Sequence, residues 1–284
     1  MTESKHRLND LHEREVTVDG ARLRYAVGGS GGGPAVVLVH GLTGTIENWR
    51  AIAPALVRNH RVVVPDMPGH GRSEPLPGSV RNLNPYGDAI CAMLDAEGID
   101  GAVWVGHSVG GVVALRAAVR RPELVRGIVL AGAAGIGSET RLARATLTLD
   151  AKLRPGRLVV PHRERWARSA LGRRVAFWWG VADTRALDPE LADAFFAGPA
   201  RHTNTLQAVR ALLGTNSRAD LDRVTCPCLC LWGASDNWVK PEDGFEYARR
   251  LGAPIRMIAG CAHLLIGERP DACTAAIEDF VATL

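Results

Sequence analysis

Ala102-Val103-Trp104-Val105-Gly106-His107-Ser108-Val109-Gly110-Gly111 is the stretch on which the fold turns. Ala102 to Gly106 is an unbroken apolar run, as in a strand covered on both faces. Ser108 to Arg121 reads as a helix. Between them Gly106 to Gly110 spells G-x-S-x-G. A serine at such a strand-to-helix turn is lifted above the sheet edge. Glycines two residues to either side relieve crowding there, and the first N–H groups of the helix favour developing negative charge. The letters alone carry little. Gly28-Gly29-Ser30-Gly31-Gly32 matches the same pattern, but it joins one strand to another and reads as a flexible turn. The setting, more than the motif, singles out Ser108.

Working outward, Arg14 to Val18 and Leu23 to Val27 read as a hairpin about Asp19-Gly20. Ala35 to His40, Arg61 to Pro65 and Val125 to Ala131 are further strands, and Glu47 to Val57 is an amphipathic segment. A helix starts at Asn84-Pro85 and stops at Gly98. After Ala131 the alternation ceases. Residues 135 to 220 show helical patterning with Pro and Gly breaks and no convincing strand. Alternation resumes with Cys228 to Trp232, a helix near Asp243 to Leu251, Pro254 to Ile258 and a last helix from Asp271 to Leu284. Alternating strands and helices predict a mainly parallel sheet with helices on both faces. The domain organisation expected is one α/β core, residues 1–134 and 221–284, with a helical lid at 135–220.

The chain has 284 residues, 46% apolar and 23% charged, which excludes a disordered chain, a collagen or a coiled coil. The net charge of +4 is too small to point to nucleic acid. It is unevenly placed: residues 135 to 220 hold thirteen arginines and Lys152 against eight acids, leaving the rest slightly acidic. A basic lid drawing anionic substrates and a merely solvated arginine-rich surface both fit. Met1 to Glu15 is polar, without the apolar core of a signal peptide, and no apolar stretch is long enough for a membrane span. A cytoplasmic protein with reduced thiols is expected. Cys226, Cys228 and Cys230 alternate, so a strand points all three to one face. Buried strand cysteines fit better than a metal site. There is no H-E-x-x-H helix, P-loop or G-x-G-x-x-G, and no cofactor or metal is expected.

A serine hydroxyl needs a base, and the base an orienting acid. In such a sheet these groups belong in loops at the carboxyl ends of strands. Asp236 lies four residues beyond Trp232, and His263 follows the strand ending near Ile258. The order Ser, Asp, His is one of the three known chain orders of a serine triad.

Several stretches together resemble the α/β-hydrolase superfamily, in its capped, lipase- or esterase-like branch. They are Val39-His40-Gly41-Leu42, Asp66-Met67-Pro68-Gly69-His70-Gly71-Arg72-Ser73, Gly106 to Gly111, Leu231 to Asp236 with Pro241, and Cys261-Ala262-His263 with Glu268-Arg269-Pro270. One departure is Ala262, where the family often has glycine. The resemblance implies an eight-stranded, mainly parallel α/β-hydrolase fold with the lid inserted after strand 6. It implies Ser108 as nucleophile, His263 as general base and acid, Asp236 as its orienting partner, and the N–H groups of Leu42 and Val109 as the oxyanion hole. His40, His107, His70 and Ser73 read as structural. Relatives with an aspartate nucleophile are excluded by Ser108, and epoxide opening by the lack of any tyrosine in the lid, since Tyr25, Tyr86 and Tyr247 lie elsewhere.

An acyl substrate follows: a small-molecule ester, lactone or thioester. Trp238 and Leu264 flank the acid and the histidine and are candidate pocket walls, as are Trp178 and Trp179 in the lid. Trp166, Phe177, Phe195 and Phe196 of the lid could line the pocket too, and for every lid aromatic, Trp178 and Trp179 included, packing of the lid onto the core is the competing account. Carbon–carbon cleavage of diketones by the same triad, perhydrolysis, and a ligand receptor with little turnover stay open. Oligomeric state is not readable.

Overall fold

The computed structural model describes Leu8, residues 10–136, Ala145, Thr148, Leu149, Lys152, Leu153, residues 160–201 and residues 204–284. Most of 137–159, the opening of the expected lid, lies outside them, as does most of the segment before Asp10.

Eight strands form one sheet among the described residues: β1 (Leu11–Val18), β2 (Ala21–Gly28), β3 (Ala35–Val39), β4 (Val62–Pro65), β5 (Ala102–His107), β6 (Val125–Ala131), β7 (Cys228–Gly233) and β8 (Ile255–Ile258). Their spatial order is β1-β2-β4-β3-β5-β6-β7-β8. The β1–β2 and β2–β4 pairs are antiparallel and every later pair is parallel. Ser30 of the second G-x-S-x-G is exposed in the turn between β2 and β3.

The unbroken apolar strands divide their side chains between two cores. Val37, Val39, Val63, Trp104, Ile128, Leu130, Cys230 and Trp232 face one; Val36, Leu38, Val62, Val103, Val105, Val129 and Leu231 face the other. This is why these strands show no polar alternation. On the first face pack α2 (Asn84–Ala96) and α3 (Val109–Arg120), through residues such as Ile90, Leu94, Val112 and Val113. On the second pack Trp49, Ile52, Leu56, Ile277 and Phe280. Cys228 and Cys230 share the first core with Cys226 packed against it, and all six cysteines are free.

The amphipathic segment Glu47 to Val57 falls on a 3-10 turn, Ile46–Trp49, followed by α1, Ala53–Leu56. Pro54 has no N–H to continue a helix begun at Glu47. Thr45 and Asn48 cap each other's backbone and close the first turn separately.

Between β6 and β7 the described residues form α4 (Arg163–Arg168), α5 (Ala170–Phe177), α6 (Pro189–Arg201), α7 (Thr205–Leu213) and α8 (Ser217–Asp220), with no strand. Ala167, Phe177, Val181, Leu187, Leu191, Ala192, Phe196 and Leu264 make a third apolar cluster. Ala208, Ala211 and Leu212 of α7 belong to the first core, so the later part of this segment rests on the sheet's own helices. No helix of the described residues is long and apolar enough to cross a membrane.

Candidate active site

Ser108 sits between β5 and α3 with φ 53° and ψ −117°, a strained backbone for a residue with a Cβ. Three backbone bonds hold it. Its N–H donates to Ala131 O (3.0 Å), and its carbonyl accepts from Gly111 N (3.0 Å) and Ala134 N (3.1 Å). The flanking glycines are steric necessities. A Cβ at Gly106 would lie 2.4 Å from the Gly110 carbonyl, and one at Gly110 would lie 2.2 Å from Val39 O. Strand and helix therefore cross too closely for any side chain, and the turn lifts Ser108 out between them.

The structure brings Ser108, His263 and Asp236 together. His263 Nε2 is 3.1 Å from Ser108 Oγ, and His263 Nδ1 is 2.9 Å from Asp236 Oδ2. All three are buried. The second Asp236 oxygen accepts the N–H groups of Trp238 and Val239, both at 2.9 Å. The carboxylate is thus fixed from both sides, and with Nδ1–H of His263 donating to it the acceptor nitrogen Nε2 is the one that faces the Ser108 hydroxyl.

Leu42 lies in a tight turn closed by Gly44 N–H on Gly41 O (3.0 Å), with Thr43 at φ 59°. A Cβ on Gly41 would approach Ser108 Cβ to 3.1 Å, so this turn abuts the serine directly. Val109 opens α3, where the first N–H has no carbonyl within the helix to receive it. His40 fixes the turn: its Nε2 accepts Met67 N–H (3.1 Å) and its Nδ1 donates to Gly41 O (2.8 Å). Burial keeps His40 below the usual histidine range, so it is held neutral.

The Asp66–Ser73 loop braces the same turn. Asp66, fully buried, accepts Ile46 N (2.9 Å), Arg72 N (3.0 Å) and Arg24 Nη1 (2.9 Å). Ser73 Oγ donates to Asp66 O (2.7 Å) and accepts Arg24 N (2.8 Å). A Cβ on Gly71 would lie 2.1 Å from the Asp66 carboxylate. The loop's residue pattern is that of a carboxylate wrapped in its own backbone. Arg24, which also pairs with Glu13, was not marked by the sequence, since its acid lies 42 residues on in another element.

Trp179 and Trp238 meet with ring centroids 5.2 Å apart, and the Trp179 ring is 6.2 Å from that of His263. Leu264 is buried, and its N–H donates to Gly180 O (2.7 Å). Trp178 is 75% exposed on the outer surface. Phe177 packs with Phe195 and Phe196 at 6.5 and 4.7 Å, so these aromatics bind the inserted helices to one another. Of the basic residues there, Arg173 is buried and donates to the carbonyls of Ala167, Arg168, Thr184 and Arg185.

The sequence profile of the Alpha/beta hydrolase family matches residues 36–276. The chain belongs to that family. A 121-residue stretch is 40% identical to the dihydrolipoyllysine-residue acetyltransferase component of the acetoin cleaving system of Cupriavidus necator, covering 42% of this chain and 32% of that one. A 126-residue stretch is 38% identical to 2-hydroxymuconate semialdehyde hydrolase of Pseudomonas sp. CF600, covering 43% and 44%. The chain thus matches less than half the length of these relatives. Among solved structures, a hydrolase from Pseudomonas aeruginosa superposes with a TM-score of 0.76 at 27% identity, over 97% of this chain and 99% of that one.

Proposed function

We propose that this hydrolase cleaves a carboxylic ester-type bond (ester, lactone or thioester) through an acyl-Ser108 intermediate. The observation that carries the reading is the unbroken chain Ser108 Oγ–His263–Asp236 at 3.1 and 2.9 Å, on a serine held in a strained turn. In the proposed reaction, Ser108 Oγ attacks the acyl carbon as its proton passes to His263 Nε2. The imidazolium is stabilised by Asp236. The carbonyl oxygen becomes an oxyanion facing the N–H groups of Leu42 and Val109, where one donor is worth roughly 3–4 kcal/mol. His263 then returns the proton to the departing alcohol or thiol. Water, deprotonated by the same imidazole, releases the acid and restores Ser108.

Residues 135–220 are proposed to act as a cap. Trp179, Trp238 and Leu264 are proposed walls of the acyl site, with Trp178 at its outer rim. A second reading is hydrolysis of a carbon–carbon bond in a vinylogous diketone. The local 38% identity to 2-hydroxymuconate semialdehyde hydrolase favours it. Turnover of a p-nitrophenyl ester series beside a vinylogous diketone separates the two. Preference for the esters supports the first reading, and kcat/KM at least tenfold higher on the diketone supports the second.

A further inference from the structure

We propose that Glu268 is a positioning residue that couples the cap to His263, an inference resting on the serine-hydrolase reading above. Glu268 ends the short helix α9 (Leu265–Glu268) and is buried. Its two carboxylate oxygens face two different segments. Oε1 accepts the N–H of Ala262 at 2.8 Å, and Oε2 accepts the N–H of Ala182 at 2.7 Å. Ala262 immediately precedes His263, and Ala182 lies three residues beyond Trp179.

A second strut runs beside the first, from Leu264 N–H to Gly180 O at 2.7 Å. Both neighbours of His263 are therefore tied to the segment 180–182, one directly and one through the Glu268 carboxylate. Trp179 immediately precedes that segment, and its ring stands 6.2 Å from the imidazole. The two segments lie side by side: a Cβ on Gly180 would sit in ordinary van der Waals contact, 3.4 Å from Leu264 Cγ and 3.7 Å from His263 Cβ.

The residue type follows from the task. A carboxylate only accepts, so it can take N–H donors from opposite sides. A glutamine in its place would turn an NH2 toward one of those donors, and an aspartate is one methylene too short to span both. Glu268 makes no ion pair among the described residues, and a buried carboxylate without one is costly unless its hydrogen bonds are good. Burial raises its pKa, and the N–H groups of Ala262, Ala182 and Asp183 oppose that rise. A side chain needed only to fill space here would be apolar. The consequence is that the placement of the proposed base and the seating of Trp179 rise and fall together.

The test compares wild type, Glu268→Gln, Trp179→Ala and the double variant, with active sites counted by a fluorophosphonate and rates taken on short- and long-chain aryl esters. In Glu268→Gln, kcat per counted site is expected to fall about tenfold, the scale of one lost hydrogen bond to a charged acceptor. KM for the long-chain ester is expected to rise severalfold. The KM effects of Glu268→Gln and Trp179→Ala are expected to be non-additive, because both unseat the same ring. A merely structural role would lower the number of counted sites or the melting temperature and leave kcat per site and KM at wild-type values; that result overturns the proposal, as do additive KM effects. If Glu268→Gln does not fold, Glu268→Asp supplies the same comparison. Unlabelled, folded wild type overturns the hydrolase reading itself, whereas a labelled wild type with unaffected variants overturns the coupling alone.

Discussion

His107 Nε2 donates a hydrogen bond to the backbone carbonyl of His263 across 2.9 Å, with the two rings 5.1 Å apart. The residue just before the proposed nucleophile thus holds the backbone of the proposed base, 156 positions later in the chain. His107 is buried, and burial pushes its pKa down to about 3. It stays neutral at working pH and does not compete for the proton. Replacing it with alanine removes the donor and leaves a buried carbonyl unpaired. The His107→Ala variant is expected to lose about tenfold in kcat, corresponding to roughly 1–2 kcal/mol. The acid limb of its pH–rate profile should not move, because His107 does not titrate there. A shifted limb would assign that titration to His107.

The same depressed pKa predicts how stability responds to acid. The folded state holds His107 neutral down to about pH 3, while the unfolded chain takes up a proton near its ordinary value of 6.5. The contribution is fully present above about pH 6.5 and is lost progressively as pH falls toward 3. His40, also lowered by burial, acts in the same direction. Urea melts from pH 7 to 4 should show wild-type stability falling, and His107→Asn falling less steeply. Equal slopes would contradict the assignment.

The strands, the mainly parallel sheet and the candidates Ser108, Asp236 and His263 were legible in the sequence because each depends on local pattern, whereas the spatial order of the strands was not. Apolar runs mark strands covered on both faces, and glycines mark the turn at which no side chain fits. Glu268 was legible only as part of the stretch around His263, without its contacts, and Arg24 was not legible at all. Nothing near Glu268 in sequence reveals that Ala182 lies against it, and Asp66 is reached from Arg24 only after β2 and β4 pair. The amphipathic pattern of Glu47–Val57 did not reveal that Pro54, lacking an N–H, divides it into a 3-10 turn and a short helix.

The elbow glycines provide a steric test. Gly106→Ala places a Cβ 2.4 Å from the Gly110 carbonyl, against backbone that cannot yield without moving α3. A destabilisation of about 3 kcal/mol or more is expected from such overpacking. Gly20→Ala is the comparison: φ is +83°, but nothing lies within 4 Å of the new Cβ. Its cost should be about 1 kcal/mol, from backbone strain alone. Thermal melts of the pair check the ranking, and equal losses would refute the crowding account.

Asp66 connects β2, the 3-10 turn Ile46–Trp49 and its own loop through one carboxylate. Its removal strands the Arg24 guanidinium and two backbone N–H groups in the interior. Asp66→Ala is expected to cost about 3–5 kcal/mol, as when one partner of a buried ion pair is deleted. Urea denaturation measures this. A loss below about 1 kcal/mol would show that Arg24 is held by Glu13 alone.

The central claim is that Ser108 is the acylated nucleophile. Intact-mass analysis of the folded protein after treatment with a fluorophosphonate tests it most directly. One adduct per chain is expected, mapping to the peptide containing Ser108, absent in Ser108→Ala and slowed by orders of magnitude in Asp236→Asn. Folded wild-type protein that takes up no adduct, or a Ser108→Ala protein that takes up the same one, would contradict it.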